Sequence, residues 1–152
     1  MTIAETLKRG RIKLKTNGVN EPNLKARLLL QYILNKPRQY LLVYDNEIVT
    51  LRQEVDYFKG IKKLIEGIPL QHITHEQEFM KLNFYVNENV LIPRPDTEIL
   101  VEEVIKIAKK NKIKNILDLC TGSGAIAVSL AKNLPNVEIT ALDISKEALK
   151  VA

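Results

Sequence analysis

Asn115-Ile-Leu-Asp-Leu-Cys-Thr-Gly-Ser-Gly124 decides how this chain is read. A short apolar strand ends in an acid, passes through a loop of small residues, and opens into Ala125-Ile-Ala-Val-Ser-Leu-Ala131, which reads as a helix. Glycine lets a backbone approach a ligand closely, and the free N–H groups of a first helical turn face whatever sits there. About twenty residues on, a second apolar strand, Val137-Glu-Ile-Thr-Ala-Leu142, also ends in an acid, Asp143. A carboxylate at that place can accept both hydroxyls of a ribose, the usual arrangement for an adenine-nucleoside cofactor on a strand–helix–strand unit.

Gly122-Ser-Gly124-Ala-Ile-Ala127 fits the spacing G-x-G-x-x-A of dinucleotide-binding turns. Alone that match is weak, because small residues cluster at many strand–helix turns. The strand before it, the helix after it and the acid closing the next strand strengthen it. In nicotinamide domains the first glycine follows the strand directly and the helix dipole faces a pyrophosphate. Here Asp118 stands at the strand end, with Cys120, Thr121, Gly122, Ser123 and Gly124 after it. A carboxylate there repels a pyrophosphate but attracts the cationic amino group of a methionine moiety. S-adenosylmethionine carries that amino group and a ribose, but no phosphate, so electrostatics favour the methyl donor. The alternatives are a loop or cap acceptor for Asp118 and a cap on the following helix for Asp143. Cys120 holds a position where glycine is commoner. It is read as a small buried hydrophobe whose backbone lines the site, provided no positive φ is required of it.

At 152 residues the chain is one ordinary domain, or a small domain with part of a larger one. Its 45% apolar and 27% charged content places it with soluble globular proteins. The N-terminus shows no charged-then-apolar signal pattern, and no apolar run approaches the ~18 residues that span a bilayer, so no membrane partner is expected. A single cysteine forms no internal disulfide, which makes a cytoplasmic setting the simplest reading. Charge is uneven. Residues 1–75 hold 13 Lys and Arg against 7 Asp and Glu, a balance of +6, and residues 76–152 hold 10 against 11, a balance of −1. The basic half either meets a polyanion or carries the solvated faces of amphipathic helices. The absence of basic–aromatic interleaving argues against a single-strand nucleic-acid groove.

Residues 1–70 read as a small helical bundle. Thr2-Ile-Ala-Glu5 and Thr50-Leu-Arg-Gln53 fit capping boxes, and Asn17-Gly18 and Gly67 with Pro69 supply stops. Leu24, Leu28, Leu29 and Ile33 form one predicted apolar stripe, and Val55, Phe58, Ile61, Leu64 and Ile65 another. Pro37 breaks the chain and can open a short helix through Tyr44. Residues 71–95 read as a β-hairpin or meander linker, from Glu76–Met80, Phe84–Val86 and Val90–Ile92. Residues 96–152 read as the start of an α/β domain. Asp96 or Thr97 caps a helix from about Glu98 to Lys110, with Ile99, Leu100, Val104, Ile107 and Ala108 inward. Then follow strand, glycine loop, helix, strand, and a last helix from Ser145. Two parallel strands cannot bury both faces of a sheet. The chain therefore reads as a fragment of an incomplete Rossmann-like domain.

A second set of strings makes the match narrow. Pro69-Leu-Gln-His-Ile-Thr74, Glu78-Phe79, Phe84-Tyr-Val86 and Val90-Leu-Ile-Pro-Arg-Pro-Asp-Thr-Glu98, followed by the Asp118–Gly124 loop, closely resemble the release-factor glutamine methyltransferases. These are class I S-adenosylmethionine enzymes, the HemK or PrmC family. The resemblance implies methylation of the side-chain amide nitrogen of the glutamine in the Gly-Gly-Gln loop of peptide-chain release factors. It also implies an N-terminal helical domain that helps grip the release factor, giving the basic half a protein partner. By position, Cys120 to Gly124 would line the methionine and ribose, Asp143 would hold the ribose hydroxyls, and Pro93 to Thr97, including Arg94, would sit near the active-site rim. For Arg94 a structural ion pair is the alternative.

Three positions depart from the family pattern. His72 stands where tyrosine is common, and His75 and Lys81 stand where glycines are common. A side chain at those two places would strain any special backbone geometry. The two histidines, with no further Cys or His partner, make a poor metal site, and no metal is expected. The family's Asn-Pro-Pro-Tyr motif, which grips the substrate amide, is absent from the sequence. The catalytic groups are therefore expected downstream of Ala152, and the chain is expected to be inactive alone. Rival readings are another class I amide or nucleic-acid amino methyltransferase, a nicotinamide-dependent oxidoreductase, and a non-enzymatic adaptor built from the helical half.

Overall fold

Thr2 is the N-cap of α1 (Ile3–Thr16) in the computed structural model, which describes all of residues 1–152. The capping box closes both ways: Glu5 N donates to Thr2 Oγ1 at 3.2 Å, and Thr2 N donates to Glu5 Oε2 at 2.9 Å. Thr50 and Gln53 do the same for α4 (Leu51–Ile65). Between them lie α2 (Pro22–Leu34), with Pro22 in its first turn, and the short α3 (Arg38–Val43), capped by Pro37. Asn17 and Asn35 end α1 and α2, Asn35 in the left-handed region. A fifth helix, α5 (Leu70–Thr74), stands where the linker was expected to begin. The first of two compact units accordingly spans Met1–Thr74, and the second His75–Ala152.

The first unit closes around Leu14, Leu29, Leu30, Tyr57 and Ile61. The predicted α4 stripe holds at Phe58, Ile61, Leu64 and Ile65, and the α2 stripe at Leu29 and Ile33; the other members face solvent. On α2 the buried face is Ala26, Leu29 and Leu30, while Leu24 and Leu28 are exposed. On α4 Tyr57 is buried and Val55 is exposed. Tyr57 is a large side chain that can be buried whole because its hydroxyl donates to the Ala26 carbonyl at 3.2 Å. Burial pushes its phenol pKa up, so it remains a protonated donor. Gly10 of α1 leaves room for that ring, since a Cβ there would lie 2.1 Å from the Tyr57 hydroxyl.

The second unit begins with a hairpin, β1 (Glu76–Phe79) and β2 (Leu82–Tyr85), paired antiparallel with Phe79 opposite Leu82. Met80 and Lys81 alone make the turn, with φ of 51° and 60°. Positive φ at both central residues is the type I′ geometry that twists with the strands, usually supplied by Asn-Gly. His75, at φ 58°, starts β1 from the same region. The two positions where glycine was the expected residue are thus both left-handed. Val90–Ile92 forms no strand, so the segment is a hairpin and not a meander.

α6 (Asp96–Asn111) follows, its N-cap being Pro95 with no side-chain cap, in place of Asp96 or Thr97. Its buried residues are Val101 and Ala108, with Val104 and Ile105 against the same cluster; Ile99, Leu100 and Ile107 are exposed. β3 (Asn115–Leu119) and β4 (Glu138–Leu142) pair in parallel, Asn115 opposite Glu138, joined through α7 (Ala125–Asn133). α8 (Lys146–Val151) ends the unit, capped by Ser145. Ile116 and Ile139 face the covered side of this strand pair, while Leu117, Leu119 and Leu142 face the open side. This is a helix-rich chain with a small hairpin and the opening of a Rossmann-like fold. No helix is long and apolar enough to cross a membrane.

Gly10→Ala should destabilise the first unit by about 1–3 kcal/mol, because the new methyl drives Tyr57 off its Ala26 bond and overpacking outweighs the ~1 kcal/mol helix-propensity gain. Urea unfolding followed by far-UV circular dichroism would read this; an unchanged midpoint would refute the packing account.

Candidate functional site

The loop after β3 is built on alternate left-handed residues: Cys120 at φ 62°, Gly122 at 57° and Gly124 at 75°. Gly124 is the N-cap of α7. Thr121 and Ser123, between them, are buried. Thr121 N donates to the Leu142 carbonyl at 2.9 Å, and Gly124 N donates to the Thr121 carbonyl at 2.9 Å. The loop is therefore tied to the end of β4 as well as to its own helix.

Two carboxylates organise it. Asp118, the last buried residue of β3, accepts a bond from the Thr121 hydroxyl at 2.7 Å through Oδ2. It is thus a loop acceptor, the alternative weighed from sequence, and its Oδ1 takes no bond from the chain. Asp143, just after β4, accepts from Gly122 N at 2.9 Å through Oδ2 and from Ser145 N at 2.9 Å through Oδ1. The helix cap itself is Ser145, whose Oγ accepts from Ala148 N. Bonds from the N–H groups of Ser145, Gly122 and, less, Ile144 hold the Asp143 carboxyl below the ordinary carboxylate range, against a smaller opposing effect of burial. Each of its oxygens keeps a second lone pair for a ligand hydroxyl.

The structure thus brings Asp118, Cys120 to Gly124 and Asp143 to the carboxyl ends of adjacent strands, where open α/β sheets bind their ligands. A Cβ at Gly122 would meet nothing within 4 Å, so the loop's outer face is open. Cys120 departs from its sequence reading twice: it is exposed, and it holds a positive φ. Ile144 escaped sequence reading altogether. It follows Asp143 directly and is 99% exposed, an apolar side chain held in solvent at the open end of the site. Pro93 and Arg94 lie in the irregular segment before α6, where the Arg94 carbonyl accepts from Thr97 N at 3.0 Å. Arg94 is exposed and enters none of the ion pairs within these 152 residues.

A helical unit followed by a strand–glycine-loop–helix–strand unit ending in Asp143 defines the opening of a methyltransferase fold. Residues 95–152 match the family model described as the methyltransferase small domain, and residues 5–74 match the PrmC N-terminal domain. A release factor glutamine methyltransferase of Koribacter versatilis is 40% identical over 152 residues, covering all of this chain and 54% of that protein. Another, from Clostridium acetobutylicum, is 45% identical over 130 residues, 84% of this chain and 45% of its own length. A bifunctional methyltransferase of Rickettsia typhi is 40% identical over 99% of the chain and 33% of its own length. The chain belongs to the release factor glutamine methyltransferase family. It spans about half the length of the release factor methyltransferases it matches.

Cys120→Gly should raise stability by about 1 kcal/mol by removing left-handed strain, whereas Cys120→Val, β-branched at the same φ, should lower it by about 1–2 kcal/mol. Thermal unfolding of both variants checks the sign; equal effects would show that backbone strain is not what Cys120 contributes.

Proposed function

We propose that this chain forms the partner-docking unit and part of the cofactor pocket of an S-adenosylmethionine-dependent methyltransferase. Its substrate on this reading is the glutamine side-chain amide of the Gly-Gly-Gln motif in peptide-chain release factors. The observation that carries the cofactor choice is the bond from Gly122 N to Asp143. A dinucleotide-binding turn offers such an N–H to a pyrophosphate. Here the donor is already bound to a carboxylate, and Asp118 adds a second negative group beside it. A phosphate would meet repulsion, while an α-amino group would meet the free Oδ1 of Asp118.

The remaining groups fit a nucleoside without phosphates. Asp143 stays charged at neutral pH and keeps acceptor capacity on both oxygens for vicinal ribose hydroxyls. Ile144 offers an apolar surface for a purine face, which would explain an isoleucine left in water. Cys120 to Gly124 line the methionine and ribose, their open side admitting close approach at Gly122. The bound cofactor supplies an electrophilic methyl on a sulfonium. Pro93, Arg94 and Thr97 form the rim toward the amide.

For the partner, the helical unit carries exposed Leu42, Val43, Ile48 and Leu51, at 67%, 69%, 68% and 82% exposure. Such a run of apolar side chains in solvent, on a unit of balance +6 over residues 1–75, suits a protein surface with acidic and apolar parts. Release factors are the partner the family suggests. The sequence holds no Asn-Pro-Pro-Tyr, so this chain by itself should bind cofactor without turning over.

S-adenosylhomocysteine should raise the melting temperature of the chain and NAD should not, as ligand binding to the folded state requires. Asp143→Ala should weaken S-adenosylhomocysteine at least about tenfold, the loss of a charge-assisted bidentate contact. Stabilisation by NAD in its place would overturn the cofactor reading, and methylated glutamine formed by the chain alone would overturn the expected lack of turnover.

The pH dependence follows from Asp143. Its folded pKa is lowered, so its stabilising contribution is complete above the unfolded carboxylate value and is lost as pH falls through the folded value. S-adenosylhomocysteine affinity should therefore be flat between about pH 5 and 8 by calorimetry. A midpoint inside that window would remove Asp143 from the ligand contact.

A further inference from the structure

Glu98 is the third residue of α6, where a glutamate ordinarily folds back onto the N–H of the capping residue. That return is closed to it, because the N-cap is Pro95 and proline has no N–H. The carboxylate reaches outward instead. Its Oε1 accepts from the backbone N of Met80 at 2.7 Å, a distance typical of charge-assisted bonds. Met80 is the first of the two left-handed residues in the hairpin turn. Neither turn residue is glycine or asparagine, so the turn carries strain that something must hold. Phe79 and Phe84 of the hairpin share one apolar cluster with Val101 of α6. That cluster gives adhesion without direction. The Glu98 bond supplies the direction.

The segment between is short of other restraints. Val90 is buried with Val86 and Ala148, which anchors the upstream end. From there to α6 the chain runs without regular structure through Pro93 and Arg94, and its own bonds are Thr97 N to the Arg94 carbonyl and Glu98 N to the Pro95 carbonyl, both 3.0 Å. The latch on Met80 is thus the fixed point at its downstream end.

We propose that Glu98 is a positioning residue: it latches the strained hairpin turn to the first turn of α6 and thereby fixes the Pro93–Thr97 rim. That the rim faces a substrate amide rests on the functional reading above; the latch does not. The Pro95–Glu98 spacing is then a capping box left open by design of its first residue, so that the acid serves a neighbouring element and not its own helix.

Two variants separate the possibilities in the 152-residue chain. Glu98→Ala removes both charge and acceptor. Glu98→Gln removes the charge but keeps an oxygen that can accept from Met80. By amide hydrogen exchange, Glu98→Ala should speed exchange at Met80 and at Thr97 at least about tenfold, while amides of β3 and α7 hold. Glu98→Gln should restore most of that protection. Release factor affinity should fall about tenfold in Glu98→Ala and recover in Glu98→Gln, with S-adenosylhomocysteine affinity within about twofold throughout. Unchanged exchange at Met80 would refute the latch. Loosening at Met80 with Thr97 still protected would refute its reach to the rim. Loss spread evenly over β3 and α7 would reduce Glu98 to a general stabiliser, and so overturn the positioning role. Unmodified chain that binds no release factor would sink the functional reading, and the exchange pattern would still decide the latch.

Discussion

The bond from the Gly122 N–H to the Asp143 carboxylate is the constraint on which the second unit depends. It joins the loop that follows one strand to the acid that follows its neighbour, so neither can shift alone. Thr121 N on the Leu142 carbonyl repeats the tie one residue earlier. Ser145 N pins the other carboxylate oxygen and starts α8 from the same group. One side chain thereby sets the loop, the strand end and the following helix. The usual arrangement leaves such a loop as an anion receptor awaiting a ligand. Here the anion is supplied from within, by the Asp143 carboxylate.

The two units meet the same requirement, burying apolar surface around polar backbone, by different means. In the first, glycines under large side chains do the work: Gly10 accommodates the Tyr57 ring, and Gly60 lies against Leu29 so closely that a Cβ would come within 2.7 Å of it. In the second, a hairpin and two helices cover one side of a strand pair. Backbone strain accumulates at its turns, at His75, Met80, Lys81 and Cys120. Strain of about 1–3 kcal/mol at each such residue persists only where neighbouring bonds over-determine it. Asp143, on the loop that contains Cys120, and Glu98, on the Met80 turn, provide those bonds.

How much of this could be read from sequence follows from the range of the forces involved. Caps are local, so Thr2 with Glu5 and Thr50 with Gln53 announced α1 and α4 correctly. The glycine loop and its two acids were legible because their spacing is fixed by a strand–helix–strand unit. Helix faces were not. Leu24 and Leu28 looked as apolar as Leu29 and Leu30, and only the tertiary packing of the first unit decides between them. The hairpin was expected, but its two-residue turn at Met80-Lys81 was not placed, because the pair lacks the residues that usually declare a type I′ turn. Glu98 was visible as part of a motif, yet its partner is a backbone N–H eighteen residues away, which no side-chain pattern records. Ile144 was overlooked because hydropathy assigns isoleucine to a core, and here it stands in water.

The open side of the β3–β4 pair has a consequence for handling. Leu117, Leu119 and Leu142 present an oily strip, and the outer strand margins carry unpaired peptide groups. Strongly excluded salts such as ammonium sulfate favour the covering of such strips. Crystals grown from that precipitant should therefore select lattices in which these leucines are buried against a neighbour. Dilute, weakly salted buffers should keep the chain dispersed, and a spectrum recorded there reports on the free molecule.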